Sequence, residues 1–202
     1  MPLPDFARES RAIRSGLIVC GIDEAGRGPW AGPVVAAAVI LDPHNIPRGL
    51  NDSKKLTETK REALFDPVMQ SSKVGIGIVS ASRIDTINIL QATYEAMTAA
   101  VLALTIKPTL ALVDGNRTPP LPCTSRAIIG GDAKSLSIAA ASIIAKVTRD
   151  RIMRQLDRRY LDYGFAAHKG YGTAAHAAAL QRLGPCPEHR ASFAPIRALL
   201  AR

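Results

Sequence analysis

Gly21-Ile22-Asp23-Glu24-Ala25-Gly26-Arg27-Gly28 ends an apolar run, Leu17-Ile18-Val19-Cys20-Gly21-Ile22, with two adjacent acids and then sets an arginine between two glycines. A run rich in β-branched residues reads as a buried strand, residues 17–23, so the acids stand where the chain leaves the sheet. Carboxylates fixed at a sheet edge suit a hard divalent cation. Gly26 and Gly28 let the backbone come close to a ligand, and the Arg27 guanidinium matches a phosphate. Metal, phosphate and close backbone approach in one short stretch point to phosphodiester chemistry. The plainer alternative is a strand end with two solvated acids and a glycine turn. The rest of the chain bears on the choice.

Working outward, 34–41 reads as a second strand in a hairpin with the first. Residues 42–48 form a Pro-containing loop. Asn51-Asp52-Ser53-Lys54-Lys55-Leu56 precedes a short helix at 57–65 with Thr57 as its N-cap. A third strand at 74–79 follows, and the period Ile84, Ile87, Leu90, Met97, Val101 predicts a helix over 84–104. A fourth strand, 110–113, ends at Asp114. A short fifth, 126–129, leads into Gly130-Gly131-Asp132. The long helix at 135–160 has an alanine-rich first half whose small side chains allow close packing on a sheet. Residues 164–172 read as loop, 173–183 as a helix, and a short helix follows Pro195.

This order predicts an α/β fold with a mixed sheet. The first, fourth and fifth strands each deliver acids at an end: Asp23 with Glu24, Asp114, and Asp132. Sites in open α/β sheets gather at strand ends, so these four are candidates for one cluster. Singly, Asp114 has an ordinary role open to it in the turn Asp114-Gly115-Asn116, and Asp132 has one as a helix N-cap. Four carboxylates in one place repel each other unless cations neutralise them. Two Mg²⁺ ions about 3.5–4 Å apart would do so and would hold a scissile phosphate between them.

The chain has 202 residues, enough for one domain with a full core, and 47% of them are hydrophobic, which excludes wholesale disorder. Lys and Arg total 26 against 17 Asp and Glu, a formal net charge of +9 that favours a polyanionic partner. Cys20, Cys123 and Cys186 form no CxxC pair, so a zinc ribbon or thioredoxin-like site has no support, and a reduced, cytoplasmic setting is expected. The first sixteen residues carry Asp5, Arg8, Glu9, Arg11 and Arg14 and read as an N-terminal arm without a signal peptide. No apolar run is long enough to cross a membrane.

With these blocks in view, the sequence resembles ribonuclease HII, the type 2 ribonuclease H family. The resemblance rests on Gly21 to Gly28 as quoted, on Asn51-Asp52-Ser53-Lys54-Lys55-Leu56, and on Val113-Asp114-Gly115-Asn116. It continues through Gly131-Asp132-Ala133-Lys134-Ser135, the helical block Ala139-Ala140-Ala141-Ser142-Ile143-Ile144-Ala145-Lys146-Val147-Thr148-Arg149-Asp150, and His168-Lys169-Gly170-Tyr171-Gly172-Thr173. It implies an RNase H-like fold with a mixed five-stranded sheet: a core at 17–160 and a C-terminal helical extension, 161–202, packed on it. It also implies an endonuclease dependent on Mg²⁺ or Mn²⁺, with two ions during catalysis. Such an enzyme cuts the RNA strand of RNA–DNA hybrids and nicks DNA 5′ of single embedded ribonucleotides. By the same resemblance, Asp23, Glu24, Asp114 and Asp132 are the catalytic, metal-holding carboxylates. Gly26, Arg27 and Gly28 read the ribose 2′-OH, Tyr171 packs on the adjoining deoxyribose, and Lys54 and Lys55 lie near the substrate backbone. A monomer acting away from membranes is expected.

Other residues carry plainer expectations. His168, His176 and His189 share no metal-ligand spacing and are assigned surface or loop roles. Lys169 is either a phosphate contact or solvated, and Trp30 is a packing residue. Tyr171, between two glycines, is expected to be poorly buried and open to a ligand. Two other functions compete: a basic nucleic-acid binder without catalysis, which leaves the four acids unexplained, and a nuclease of the same fold acting on DNA alone, which has no use for a 2′-OH reader.

Overall fold

The computed structural model describes residues 3–201. Five strands, β1 (Val19–Ala25), β2 (Val34–Leu41), β3 (Ser72–Val79), β4 (Leu110–Asp114) and β5 (Thr124–Ile128), form one sheet in the order β3-β2-β1-β4-β5. β2 is antiparallel to β1 and to β3, whereas β4 is parallel to β1 and to β5, so the sheet is mixed as expected. The first strand begins and ends two residues later than 17–23. Asp23 and Glu24 therefore lie inside the ladder with β2, opposite Ala37 and Ala36. On the other side the pairing of β1 with β4 stops at Ile22 opposite Val113. The acids are fixed by the hairpin on one flank and open on the other.

Strand side chains alternate between faces, and β2 makes the division plain. Ala36 and Ala38 pack with α3 (Ala81–Leu102), while Ala37, Val39 and Leu41 pack with α4 (Leu136–Arg159) and α2 (Glu58–Ser71). The alanine-rich start of α4 does lie close on the sheet: a Cβ at Gly21 would sit 2.2 Å from the Ser137 carbonyl carbon. Thr57 caps α2, accepting from the Lys60 N–H, and the helix runs to Ser71 rather than to 65. The single apolar period expected over 84–104 is broken at Asn88, whose φ is 66°. Its Oδ1 accepts from the Leu90 and Gln91 N–H groups and starts a second helical segment. That break leaves Leu90 exposed while Ile84 and Met97 are buried.

The stretch 1–16, read as an arm, contains a docked helix, α1 (Ala7–Arg14); its first two residues lie outside the described ones. Glu9 is buried, and its Oε1 accepts from both hydroxyls and one N–H of Ser135 and Ser137 at the start of α4. In 161–201 the chain forms α5 (Phe165–His168), α6 (Ala174–Leu183) and α7 (Ala194–Leu200). Phe165, Leu180 and Ile196 pack there around Met153 of α4 and Trp30.

Candidate active site

Asp114 ends β4, and Asp23 follows the last residue of β1 that pairs with it, so the two are neighbours where the ladder opens. Asp132 comes just after β5 in a 3-10 turn, Gly131–Ala133. That turn is tied to Asp114, whose Oδ1 accepts from the Gly131 N–H at 2.6 Å. Ser135, not Asp132, caps α4. The capping role that offered an ordinary explanation for Asp132 is filled by another residue.

The electrostatics show that the acids feel one another. Burial, then Glu24 and Asp114 beside it, pushes the Asp23 carboxyl well above the usual carboxylate range. Burial also raises Glu24, with Arg27 opposing and Asp114 adding to the effect. Asp132 is raised by burial, then by Asp114 and Asp52. Lys54 shows the reciprocal: burial works against its charge, but Asp23, Asp132, Asp52 and Asp114 outweigh it and hold its pKa up. Hard oxygen donors in mutual repulsion fit a divalent cation. Among the described residues no three such side chains are already closed around a single ion position.

One cleft joins Asp23 and Glu24 to Gly26, Arg27, Gly28, Lys54 and Tyr171. A second, on the other side of Glu24 and Arg27, reaches Asp114, Asn116 and Arg117. Lys55 is exposed and does not line either. A cavity of about 550 Å³ beside α3 contains none of the four acids. Arg27 leans on Glu24 at 3.5 Å with half its side chain in solvent, so a phosphate can compete for it. Tyr171 is 46% exposed, as its glycine neighbours suggested. A Cβ placed on Gly28 would meet only the Tyr171 ring, at 3.8 Å, so the space beside both residues is open.

Two buried arginines, absent from the sequence-based site, fix the loop between β1 and β2. Arg149 of α4 donates to the carbonyls of Ala31, Pro33 and Lys169. Arg190 donates to those of Gly26, Arg27 and Gly32. Burial pushes Arg149 down to about 10 and Arg190 down to about 9, so both stay charged at neutral pH. Gly26, with φ +98°, has no room for a Cβ because the Arg149 side chain lies 2.1 Å from that position.

The histidine expectation is overturned. His176 and His189 are buried and pack with Phe165, and His168 stacks on His176 with ring centroids 4.3 Å apart. The hydrogen-bond network assigns their tautomers. The Cys186 N–H donates to His189 Nδ1, so His189 Nε2 donates to His176 Nε2 at 3.0 Å, and His176 Nδ1 donates to the Tyr171 carbonyl. Sequence spacing missed this because the three rings come from separate turns of chain that meet only in the fold. Lys169 is neither solvated nor a free phosphate contact: its Nζ donates to the Ala166 carbonyl and lies 3.8 Å from Glu58. Trp30 packs on His176 as expected. Ser142 lines the cleft and bonds Ser53. Lys146 lines it as well, held by Asp150 at 2.6 Å.

The family model for ribonuclease HII matches residues 20–196. The chain belongs to the ribonuclease HII family. It is 59% identical over 194 residues to the ribonuclease HII of Azorhizobium caulinodans, covering 96% of this chain and 75% of the relative. It is 56% identical over 196 residues to that of Agrobacterium fabrum, covering 96% and 90%. Among solved structures, the ribonuclease H2 of Pyrococcus horikoshii superposes with a TM-score of 0.76 at 32% identity, covering 91% of this chain and 97% of that one. The fold is thus RNase H-like, and as a ribonuclease HII the protein is a metal-dependent endonuclease acting on RNA in RNA–DNA hybrids and on ribonucleotides embedded in DNA.

Proposed function

We propose that Asp23, Glu24, Asp114 and Asp132 hold divalent cations, Mg²⁺ or Mn²⁺ and two during catalysis, at the open flank of β1. When bound, the cations supply an activated water and stabilise the leaving oxygen of an in-line displacement. The observation that carries this reading is the gathering of Asp23, Glu24 and Asp132, each raised in part by Asp114, beside a glycine loop and an exposed tyrosine. Arg27 leaves Glu24 to pair with a substrate phosphate. The backbone at 26–28 meets the ribose 2′-OH, and Tyr171 packs against the deoxyribose that follows. Lys54 neutralises backbone phosphate next to the acids, while Lys55 acts only through the general field. A monomer acting this way nicks DNA 5′ of a lone ribonucleotide, leaving 5′-phosphate and 3′-hydroxyl ends, and so serves in removing ribonucleotides and RNA primers from DNA.

The test is cleavage of a duplex carrying one ribonucleotide beside the same duplex in all-DNA form. With Mg²⁺ only the first should be nicked, and EDTA should abolish the reaction. Equal cleavage of both would refute the ribose-reading assignment.

A further inference from the structure

We infer that Arg190, far along the chain from the acids, is a positioning residue that aims the Arg27 and Gly28 N–H groups at the substrate sugar; this rests on the proposal that residues 26–28 read the 2′-OH. Among the described residues no peptide bond is cis, so each carbonyl points opposite to the N–H of its own peptide unit. The Gly26 carbonyl shares its peptide with the Arg27 N–H, and the Arg27 carbonyl shares its peptide with the Gly28 N–H. The Arg190 guanidinium fixes the orientation of both units, because it donates to the Gly26 carbonyl at 2.5 Å and to the Arg27 carbonyl at 3.0 Å. Both N–H groups are therefore turned away from it. Among the described residues neither has a protein acceptor. Arg27 and Gly28 are exposed and line the cleft with Tyr171. Two oriented, unpaired donors beside an open space suit a hydroxyl oxygen.

The segment bearing Arg190 is itself anchored twice. It zips onto the loop through Arg190 N–H to the Trp30 carbonyl and Gly32 N–H to the Glu188 carbonyl. Asp85 of α3 then accepts from the Ala191 and Ser192 N–H groups at 2.8 Å. A lysine at 190 keeps the charge but lacks the fork that holds two carbonyls at once.

The experiment compares full-length wild type, Arg190→Lys and Asp85→Asn, in Ca²⁺ so that cutting is suppressed. Melting temperature and affinity are measured for a duplex with one ribonucleotide and for its all-DNA counterpart. Arg190→Lys should lose roughly tenfold or more of the preference for the ribonucleotide duplex while all-DNA binding changes by about twofold at most. Asp85→Asn, which keeps Arg190 but loosens its support, should lose a smaller part of the preference. If Arg190→Lys does not fold, Asp85→Asn decides: a reduced preference supports the inference and an unchanged one overturns it. Parallel loss of both affinities, or a preference kept intact by folded Arg190→Lys, also overturns it. Gly28→Val separates the underlying reading. If it too keeps the preference, 2′-OH recognition by this loop is wrong; if it alone loses it, only the role of Arg190 is wrong.

Discussion

Asp23 is 5% exposed and has Glu24, Asp114 and Asp132 around it, an arrangement that burdens the fold unless a cation is present. Asp23→Asn should therefore lower cleavage by roughly a hundredfold or more, since an amide is a poor ligand for Mg²⁺. The same change should leave the melting temperature in metal-free buffer unaltered or raise it, because one repelling charge is gone. A clear fall in melting temperature would mean that Asp23 is a structural acid. Tyr171 gives the complementary case. Its exposure predicts that Tyr171→Ala costs within about 0.5 kcal/mol of stability, not the 3–5 kcal/mol of a core aromatic. Cleavage at a lone ribonucleotide should fall while long hybrids suffer less, and Tyr171→Phe should retain most activity. A large melting shift with equal loss on both substrates would return the ring to the core. These residues were legible because their neighbours expose them: acids after an apolar run, an aromatic between glycines. Arg149 and Arg190 were not, because a buried arginine paired only with carbonyls leaves no charge pattern along the chain.

At the scale of elements, the apolar runs located all five strands, and the acids at their ends predicted the cluster. The ends themselves were less legible. Leu17 and Ile18 are as apolar as Val19, but the pairing with β4 starts the strand at Val19 and the hairpin register with β2 carries it to Ala25. The docking of α1 was hidden for a different reason: Glu9 looks like a solvated acid in a charged stretch, and only the fold places it against Ser135 and Ser137. Glu9→Ala should leave those buried hydroxyls without an acceptor and cost about 2–3 kcal/mol in denaturant unfolding. Because Asp132 lies three residues before Ser135, activity should fall with it. Glu9→Gln should recover part of both. An unfolding midpoint unchanged in Glu9→Ala would show that α1 contributes nothing to the site.

For the whole molecule, the +9 net charge makes binding to any duplex weaken as salt rises, since phosphate contacts release counterions. Lys54→Ala should reduce affinity more than Lys55→Ala, as only Lys54 lines the cleft; equal effects would assign both to the diffuse field. The C-terminal histidines set a second global property. Burial, with His176 beside it, lowers His189 to about 4 from an ordinary 6.5. The unfolded chain therefore takes up its proton first as pH falls. The stability contributed by the neutral ring is complete above about 6.5 and is lost progressively toward 4. His168, Tyr163 and Cys186 surround the pair, and among the described residues no carboxylate is near enough to oppose the lowering of His176 and His189. The melting temperature of wild type should thus fall more steeply between about pH 7 and pH 5 than that of His189→Gln. Parallel slopes would exclude these rings as the source.

The central claim is that Asp23, Glu24, Asp114 and Asp132 would hold cations supplying an activated water, so that water and not the ribose hydroxyl attacks the phosphate preceding a ribonucleotide. The ends made by wild-type protein with Mg²⁺ on a duplex containing one ribonucleotide test it most directly. The account predicts a 3′-hydroxyl on the upstream fragment and a 5′-phosphate on the fragment that begins with the ribonucleotide. A 2′,3′-cyclic phosphate, with the cut on the 3′ side of the ribonucleotide, would contradict it.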